Sequence, residues 1–363
     1  MSEKHYFLTG NTSLGRIYYT IEALKEMKYI YLVDGPFSEN NNIILDYTYD
    51  VLRTKDINLE IIHQASNPDK IHAIIIRDYD IAVLNSSPPF IYDKYLFEPT
   101  TKLLNMYDHY HLDSIEKHKH RIDYFATLIN DAHQRAYNHY KKAIEIHDDW
   151  EAIYINNMDF AKANEIANQL IEKLIGNKQS DKEGKHHIRF LGAATPKGAV
   201  DFVPNLTEGL TRYFIKGRTG SGKSTLLKAL LAQAKQKGYE IEVYHCGLDP
   251  NSLDMIIVRE LGFAIFDSTA PHEYFPELEH DYIIDMYELC ITPLTDEKYE
   301  AELNEIRSKY KEQMKLGLQA LEEAEHAFKQ RSEITSDSII KPQFNQLKVN
   351  LIREIEHIIK SAT

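Results

Sequence analysis

Short apolar runs and one amphipathic run alternate along the second half of the chain. The runs with the length of buried strands are 213–215, 240–245, 255–258 and 263–266. Between the first two lies the segment 224–238, whose apolar residues recur at helical spacing. One face of this predicted helix carries Leu226, Leu227, Leu230, Leu231 and Ala234. Gly238 is well placed to end the helix, and strands that alternate with helices predict βαβ units in a mostly parallel α/β sheet.

Two further regions, 100–175 and 280–360, are rich in Glu, Lys, Gln and Ala. This composition favours long helices, most clearly at 298–330. Each half of the chain is therefore expected to end in a long helical extension.

The chain contains an internal repeat. Residues 31–89 align without a gap on 213–271, an offset of 182 positions. Identical residues at equivalent positions are Gly35 and Gly217, Glu60 and Glu242, His63 and His245, Pro68 and Pro250, Arg77 and Arg259, Ser86 and Ser268, and Pro89 and Pro271. Upstream, 7–15 aligns on 190–198 after a one-residue shift. Because self-similarity of this length marks a duplicated unit, we expect two copies of one fold.

A polar segment at 176–187 separates the two copies. It contains two glycines and no apolar period, which is typical of a linker. We therefore expect two domains, residues 1–178 and residues 186–363, each of ordinary domain size.

A glycine-rich turn joins the strand predicted at 213–215 to the amphipathic helix. It matches the pattern G-x-x-x-x-G-K-[ST] and consists of Gly217, Arg218, Thr219, Gly220, Ser221, Gly222, Lys223, Ser224 and Thr225. Glycines let successive backbone N–H groups curl around phosphate oxygens, and the following helix presents its positive end to the same anion. We expect Lys223 to reach the β- and γ-phosphates of ATP and Ser224 to bind Mg²⁺.

A carboxylate is needed to complete the Mg²⁺ shell. Asp267 ends the strand predicted at 263–266 and is the preferred metal ligand; with Lys223 it is also the preferred catalytic residue. Asp249 is a rival, with a turn before Pro250 as its alternative role. Asp254 is a second rival, and the simpler interpretation is a surface acid beside a strand.

Three more side chains are candidates near the loop. Arg218 and Arg259 can stabilise transition-state charge as an arginine finger does, although a structural ion pair is the simpler expectation for each. His272 can orient a nucleophile or contact phosphate, and a polar loop residue is an equally good interpretation of it.

The first copy has lost the residues of this chemistry. The replacements are Asn40 for Gly222, Asn41 for Lys223, Asn42 for Ser224 and Asn85 for Asp267. Glu39 and Asp34 add negative charge where a polyphosphate would lie, and like charges there oppose binding. We expect this copy to be a scaffold or regulatory unit without catalysis.

Composition and charge narrow the class of protein. The chain of 363 residues is 43% apolar and 27% charged, as in globular proteins, with a net charge of −13. This charge disfavours nucleic acid or anionic lipid as partners.

Cys246 and Cys290 form no CxxC pair and are expected to be reduced, buried thiols. The chain start lacks a signal peptide and no apolar run reaches membrane-spanning length, which predicts a cytoplasmic protein without membrane contact.

Four segments together resemble a bacterial family of tandem P-loop NTPases. They are FLGAATPKGAVDFVPNLTEG (190–209), YFIKGRTGSGKST (213–225), CGLDPNSLDM (246–255) and IFDSTAPHEYFP (265–276). The resemblance implies two P-loop NTPase-type domains and ATP binding, but no settled reaction. The first copy in that family commonly has a GKS loop of its own, whereas here that loop is degraded, so one functional site is expected.

Three functions remain open at this point. The preferred one is hydrolysis of ATP with Mg²⁺ by the second copy. A small-molecule or nucleotide kinase is the first alternative, with an unidentified acceptor and with Arg307 or Lys309 closing over the phosphates. The second is a non-catalytic switch, in which ATP binding sets an arrangement that a protein partner recognises.

Overall fold

The computed structural model describes residues 2–87, 99–181 and 184–362. The elements of the first copy are β1 (Glu3–Phe7), β2 (Thr9–Thr12), β3 (Gly15–Tyr18), α1 (Thr20–Leu24), β4 (Tyr29–Asp34), α2 (Ser38–Leu52), β5 (Leu59–Gln64), β6 (Asn67–Ile76), β7 (Ile81–Asn85), β8 (Thr101–Asn105), α3 (Leu112–Ile155) and α4 (Phe160–Leu174). Those of the second copy are β9 (His186–Phe190), β10 (Gly192–Thr195), β11 (Gly198–Asp201), α5 (Val203–Leu206), β12 (Thr211–Lys216), α6 (Lys223–Gln236), β13 (Ile241–His245), β14 (Leu253–Val258), β15 (Phe263–Asp267), β16 (Asp281–Asp285), α7 (Met286–Cys290), α8 (Thr295–Lys298), α9 (Glu300–Ser336) and α10 (Lys341–Ala362).

The chain forms two compact units that do not follow the expected boundary at 176–187. Unit 1 comprises Met1–Leu8, Tyr18–Gln134 and Ala320–Thr363, and unit 2 comprises Thr9–Ile17 and Arg135–Gln319. The short helix that closes each unit therefore comes from the other copy: α10 belongs to unit 1 and α4 to unit 2. The predicted ranges 1–178 and 186–363 describe the repeat along the sequence, whereas the compact units exchange their helical extensions.

Each unit contains a six-stranded, mostly parallel sheet, as the sequence predicts. The strand order is β1-β5-β6-β7-β4-β8 in unit 1 and β9-β13-β14-β15-β12-β16 in unit 2. The exceptions are β6 and β14, which are antiparallel to both neighbours. Each is linked to its neighbouring strands by short turns, and a parallel pair would need a crossover of a dozen residues or more.

One edge strand in each unit lies where only helix was expected. β8 pairs with β4, and β16 pairs with β12. Both strands are five residues long and partly exposed, so their sequences lack the apolar run of a central strand. Pairing with a neighbour distant in sequence determines their conformation.

The core of unit 2 lies between its sheet, α6 and α4. The predicted face of α6 is buried at Leu226, Leu227, Leu230 and Ala234, with Leu231 packed at its margin. Leu170 and Ile175 pack onto the same cluster from α4 and the residue after it. Gly238 has φ +75° just beyond the helix, which only glycine adopts without strain.

The core of unit 1 lies between its sheet, α2 and α10. The helix α10 contributes Phe344, Leu351, Ile352 and Ile355, all buried. Burial of each such side chain stabilises the fold by about 1.5–3 kcal/mol, so α10 is a large part of this core.

Two expectations about the chain as a whole can be compared with the described residues. Within them, no helix combines the length and the apolar character needed to cross a bilayer. Cys290 is buried and Cys246 half-buried, and both are free thiols.

Candidate nucleotide-binding site

The glycine-rich segment lies in unit 2 between the end of β12 and the start of α6. Gly220 and Gly222 have φ of +71° and +84°, a region that disfavours any residue with a Cβ. A Cβ at Gly222 would lie 2.7 Å from Cε of Met158, and one at Gly220 would lie 2.6 Å from the backbone oxygen of Glu151. The loop therefore has both the backbone conformation and the close packing that require glycine.

Several backbone donors of this loop are unused. The N–H groups of Gly220, Gly222, Lys223, Ser224 and Thr225 donate to no acceptor among the described residues. They lie at the start of α6, where the helix dipole favours negative charge. An anion placed there would satisfy donors that otherwise remain unpaired.

The Lys223 side chain lies across the loop. Its Nζ donates to the carbonyl oxygens of Gly217 and Arg218 at 3.3 and 2.8 Å and lies 3.6 Å from Oδ2 of Asp267. The side chain is almost fully buried. A buried ammonium held by two carbonyls and one carboxylate is a local positive charge that phosphate oxygens can share.

Asp267 lies next to the loop, at the end of β15. This strand is parallel to β12, with Asp267 opposite Ile215. Oδ1 of Asp267 accepts hydrogen bonds from the backbone N–H and the hydroxyl of Thr269, which leaves Oδ2 turned towards Lys223. Ser224 is in the first turn of α6, and its Oγ accepts from the backbone N–H of Leu253 at 3.0 Å.

The two rival carboxylates have different surroundings. Asp249 accepts from the backbone N–H of Asn251 in a turn and also lines the cavity that contains Lys223. The expectation that Asp254 is a surface acid beside a strand is wrong. Asp254 lies within β14, is buried and lines the same cavity as Lys223. Burial, and then the charge of Asp267, raise the pKa of Asp254 well above its ordinary value.

The candidate arginines are mostly occupied by structural partners. Arg218 pairs with Asp296 at 2.8 Å and lies over the ring of Tyr287. Arg259 pairs with Glu242 at 2.6 Å, and it is not among the residues that line the cavity.

Arg307 and Lys309, the two residues expected to close over the phosphates, differ in their position relative to the cavity. Arg307 lines the cavity and lies over Trp150. Lys309 pairs with Glu305 on the exposed face of α9 and does not line the cavity, so the expectation that it closes over the phosphates is not supported by its position.

The end of α3 covers the loop, which the sequence did not reveal. Nε2 of His147 lies 2.6 Å from the hydroxyl of Thr219, and that hydroxyl donates to Glu151 at 3.2 Å. His147, Asp148 and Glu151 bring their ligand atoms within 4.8 Å of one another, as a metal site would require. The only sequence signal is the spacing i, i+1, i+4 on one helix, which surface helices share.

A half-buried aspartate, Asp201, holds His272. Nδ1 of His272 lies 2.6 Å from Oδ2 of Asp201, and the hydroxyl of Tyr274 donates to the other oxygen. Burial alone would lower the pKa of His272, but the hydrogen bond and charge of Asp201, with Asp254 and Asp267 nearby, raise it above the ordinary value. The nearby carboxylates therefore favour the protonated form of the imidazole, whose ring lines the cavity.

The glycine-rich loop, Asp254, Asp267, His147 and His272 line one cavity of about 1750 Å³, and all of its lining residues belong to unit 2. Ligand pockets commonly measure about 300–1,000 Å³. The glycine-rich loop and the strand ends form its floor. Its walls include the part of α3 from Tyr140 to Ile155 and the part of α9 from Arg307 to Leu318.

The equivalent loop of the first copy is closed. α2 begins at Ser38, the position of Gly220 and three residues earlier than the equivalent start of α6. Asn40, Asn41 and Asn42 are fully buried. Asn41 donates to Val33 O, Asn85 Oδ1 and Ser87 Oγ, so a neutral amide pair stands where Lys223 and Asp267 stand in the second copy.

Side chains from α9 complete this closure in unit 1. Asn40 donates to Thr335 Oγ1 at 3.1 Å, and Arg331 forms two hydrogen bonds of 2.7 and 2.8 Å with Glu39. Glu39, which adds negative charge at this loop, is therefore paired with Arg331.

Comparisons with protein-family models, with curated proteins and with solved structures found no match to this chain. The resemblance to tandem P-loop NTPases therefore rests on the four sequence segments alone.

Proposed function

We propose that the chain is a P-loop NTPase with two related copies, of which the second binds Mg·ATP and hydrolyses it. The observation that carries the proposal is the loop 217–225 with its unpaired N–H groups at the start of α6. An intact motif placed between a parallel strand and a helix is the context that this chemistry requires.

The residues present fit a bound Mg²⁺. The donors are the Ser224 hydroxyl and the Asp267 carboxylate, and Mg²⁺ takes few protein ligands, all oxygen, beside phosphate oxygens and water. Such an ion neutralises charge on the β- and γ-phosphates. The loop amides and Lys223 would hold the phosphates, and a water would attack in line.

A Lys223→Ala variant tests nucleotide binding. Loss of a charge-assisted contact costs about 1.5–3 kcal/mol, so we expect calorimetry to show ATP affinity in Mg²⁺ reduced about 10- to 100-fold. Lys235→Ala is the matched control, because this exposed lysine lies on the same helix. Equal affinity of both variants and the unchanged protein would refute the proposal.

A kinase is the second candidate, and the cavity volume favours it. A space of about 1750 Å³ exceeds what one ligand commonly fills, so it has room for an acceptor beside ATP. Incubation with γ-labelled ATP, with and without cell extract, separates the two reactions. Label released as free phosphate in both samples supports hydrolysis; label appearing on a metabolite supports the kinase.

A further inference from the structure

The pair Asp201–His272 is a half-buried acid–base pair that the nucleotide-binding loop does not itself require. His272 is tied to Asp201 through Nδ1, while its Nε2 makes no hydrogen bond among the described residues. Asp201 is itself held by the Tyr274 hydroxyl and by the backbone N–H of Val203. The imidazole is therefore fixed in orientation, with one nitrogen left for a ligand.

The internal repeat indicates which side chains serve structure alone. The contacts present in both copies include an Arg–Glu ion pair, Arg77–Glu60 and Arg259–Glu242, and a His-to-carbonyl bond, His63–Pro68 and His245–Pro250. These contacts remain in the copy that lacks the loop motif, so they hold the fold.

Four side chains that line the cavity, and Asp201 behind His272, differ between the two copies. At the positions of Lys223, Asp267, Asp254, Asp201 and His272 the first copy has Asn41, Asn85, His72, Tyr18 and Phe90. Asp201 and His272 thus disappear together with the predicted phosphate lysine and metal acid. A pair needed only for folding would have no reason to follow that chemistry.

The arginines near the loop have other contacts: Arg218 and Arg259 form ion pairs, and Arg307 lies over the ring of Trp150. Arg218 is held by Asp296 and Arg259 by Glu242, so neither is placed to contact a γ-phosphate. Such a contact from His272 needs a protonated ring; burial lowers the pKa of His272, but Asp201, Asp254 and Asp267 together raise it above its ordinary value. The negative charge of an incoming triphosphate acts in the same direction.

We propose that His272 is a catalytic residue whose Nε2–H donates to a γ-phosphoryl oxygen of the bound nucleotide, with Asp201 as its positioning residue. The inference rests on the proposed nucleotide-binding function. In the reaction, a bond forms between the water oxygen and the γ-phosphorus, and the bridging bond breaks with its electron pair on ADP. Both water protons leave with the phosphate, and His272 keeps its proton throughout. Its role is that of a preorganised donor to developing charge.

The experiment compares His272→Gln and Asp201→Asn with the unchanged full-length protein. Calorimetry measures affinity for ADP and for the non-hydrolysable triphosphate analogue AMPPNP, and phosphate release measures turnover. For His272→Gln we expect AMPPNP affinity to fall about 10-fold while ADP affinity stays within twofold, and kcat to fall about 10²- to 10³-fold. For Asp201→Asn we expect kcat to fall with KM nearly unchanged. His280→Gln, an exposed histidine, is the control.

The outcomes separate this inference from the proposed function. If the unchanged protein binds neither nucleotide, both fail. If it binds ATP and His272→Gln alters neither the ratio of AMPPNP to ADP affinity nor kcat, His272 has no such role and the proposed function stands. If the protein binds ATP without turnover, the affinity ratio alone decides. Thermal melting of each variant shows whether it is folded.

Discussion

Gly220 and Gly262 have the same φ, so comparing them separates the effect of backbone strain from the effect of a close neighbour. Gly220 and Gly262 both have φ +71°. A Cβ at Gly262 would meet nothing within 4 Å, whereas one at Gly220 would lie 2.6 Å from the backbone oxygen of Glu151. The two positions therefore share a φ that disfavours a side chain, and they differ in what surrounds it.

We expect Gly262→Ala to lower the free energy of unfolding by about 1–2 kcal/mol, the cost of a left-handed residue. Gly220→Ala should cost more, because the end of α3 must also move, and it should weaken ATP binding. Denaturant titration followed by the fluorescence of Trp150, the single tryptophan, measures the first effect, and calorimetry the second. Equal losses of stability and unchanged ATP affinity for both variants would contradict this account of the loop.

At the residue scale, the sequence predicts the part of the site that is contiguous. Gly217 to Thr225 form one segment, so spacing alone identifies the loop. The sequence does not reveal that Asp254 is buried, because a single acid beside apolar residues is also typical of a surface position at the end of a strand. Asp201 and His147 come from β11 and α3, and no local pattern connects elements so far apart in the sequence.

At the scale of elements, ion pairs between strands explain what hydrophobic patterns missed. β16 is a short edge strand, and Asp281 in it lies opposite Arg212 of β12. Two hydrogen bonds of 2.8 and 2.6 Å join the two side chains, and the Asp281 side chain is completely buried. Tyr213 and Tyr282 stack beside them at 5.1 Å. Such cross-strand pairs, and not an apolar run, hold this strand in the sheet.

The Arg212–Asp281 pair predicts a dependence of stability on pH. The hydrogen bonds from Arg212 lower the pKa of Asp281 to about 2, so the carboxylate stabilises the fold above the ordinary value near 4 and this contribution disappears as the pH falls from about 4 to 2. At pH 7 it amounts to about 2 kcal/mol.

We expect Asp281→Asn to lose about this much stability at pH 7 and little near pH 2. Urea denaturation at a series of pH values measures the difference between the variant and the unchanged protein. A difference that stays constant from pH 7 to pH 2 would show that the ion pair contributes no charge-dependent stability.

At the scale of the whole molecule, the repeat along the sequence and the compact units in space divide the chain differently. The segments 160–175 and 344–359 have similar apolar spacing, so either helix has a face suited to either core. Sequence periodicity shows that these helices exist and which face is apolar. It contains no information about which of two similar cores each one covers, because that depends on where the long helices α3 and α9 end.

If α10 packs in unit 1 and α4 in unit 2, a core mutation in either helix should destabilise the unit formed mainly by the other copy. Two domains at residues 1–178 and 186–363 would give the opposite result. Leu351 of α10 belongs to the second copy but lies buried in the core of unit 1, and Leu170 of α4 belongs to the first copy but lies in the core of unit 2. Replacing a buried leucine by alanine costs about 2–5 kcal/mol. We expect Leu351→Ala to accelerate hydrogen exchange most at amides of α2 and β6, and Leu170→Ala to accelerate it most at amides of α6. Each variant is the control for the other, and mass spectrometry of peptic fragments measures both. If Leu351→Ala instead released α6 first, α10 would pack on the core of its own copy and the exchange of helices would be wrong.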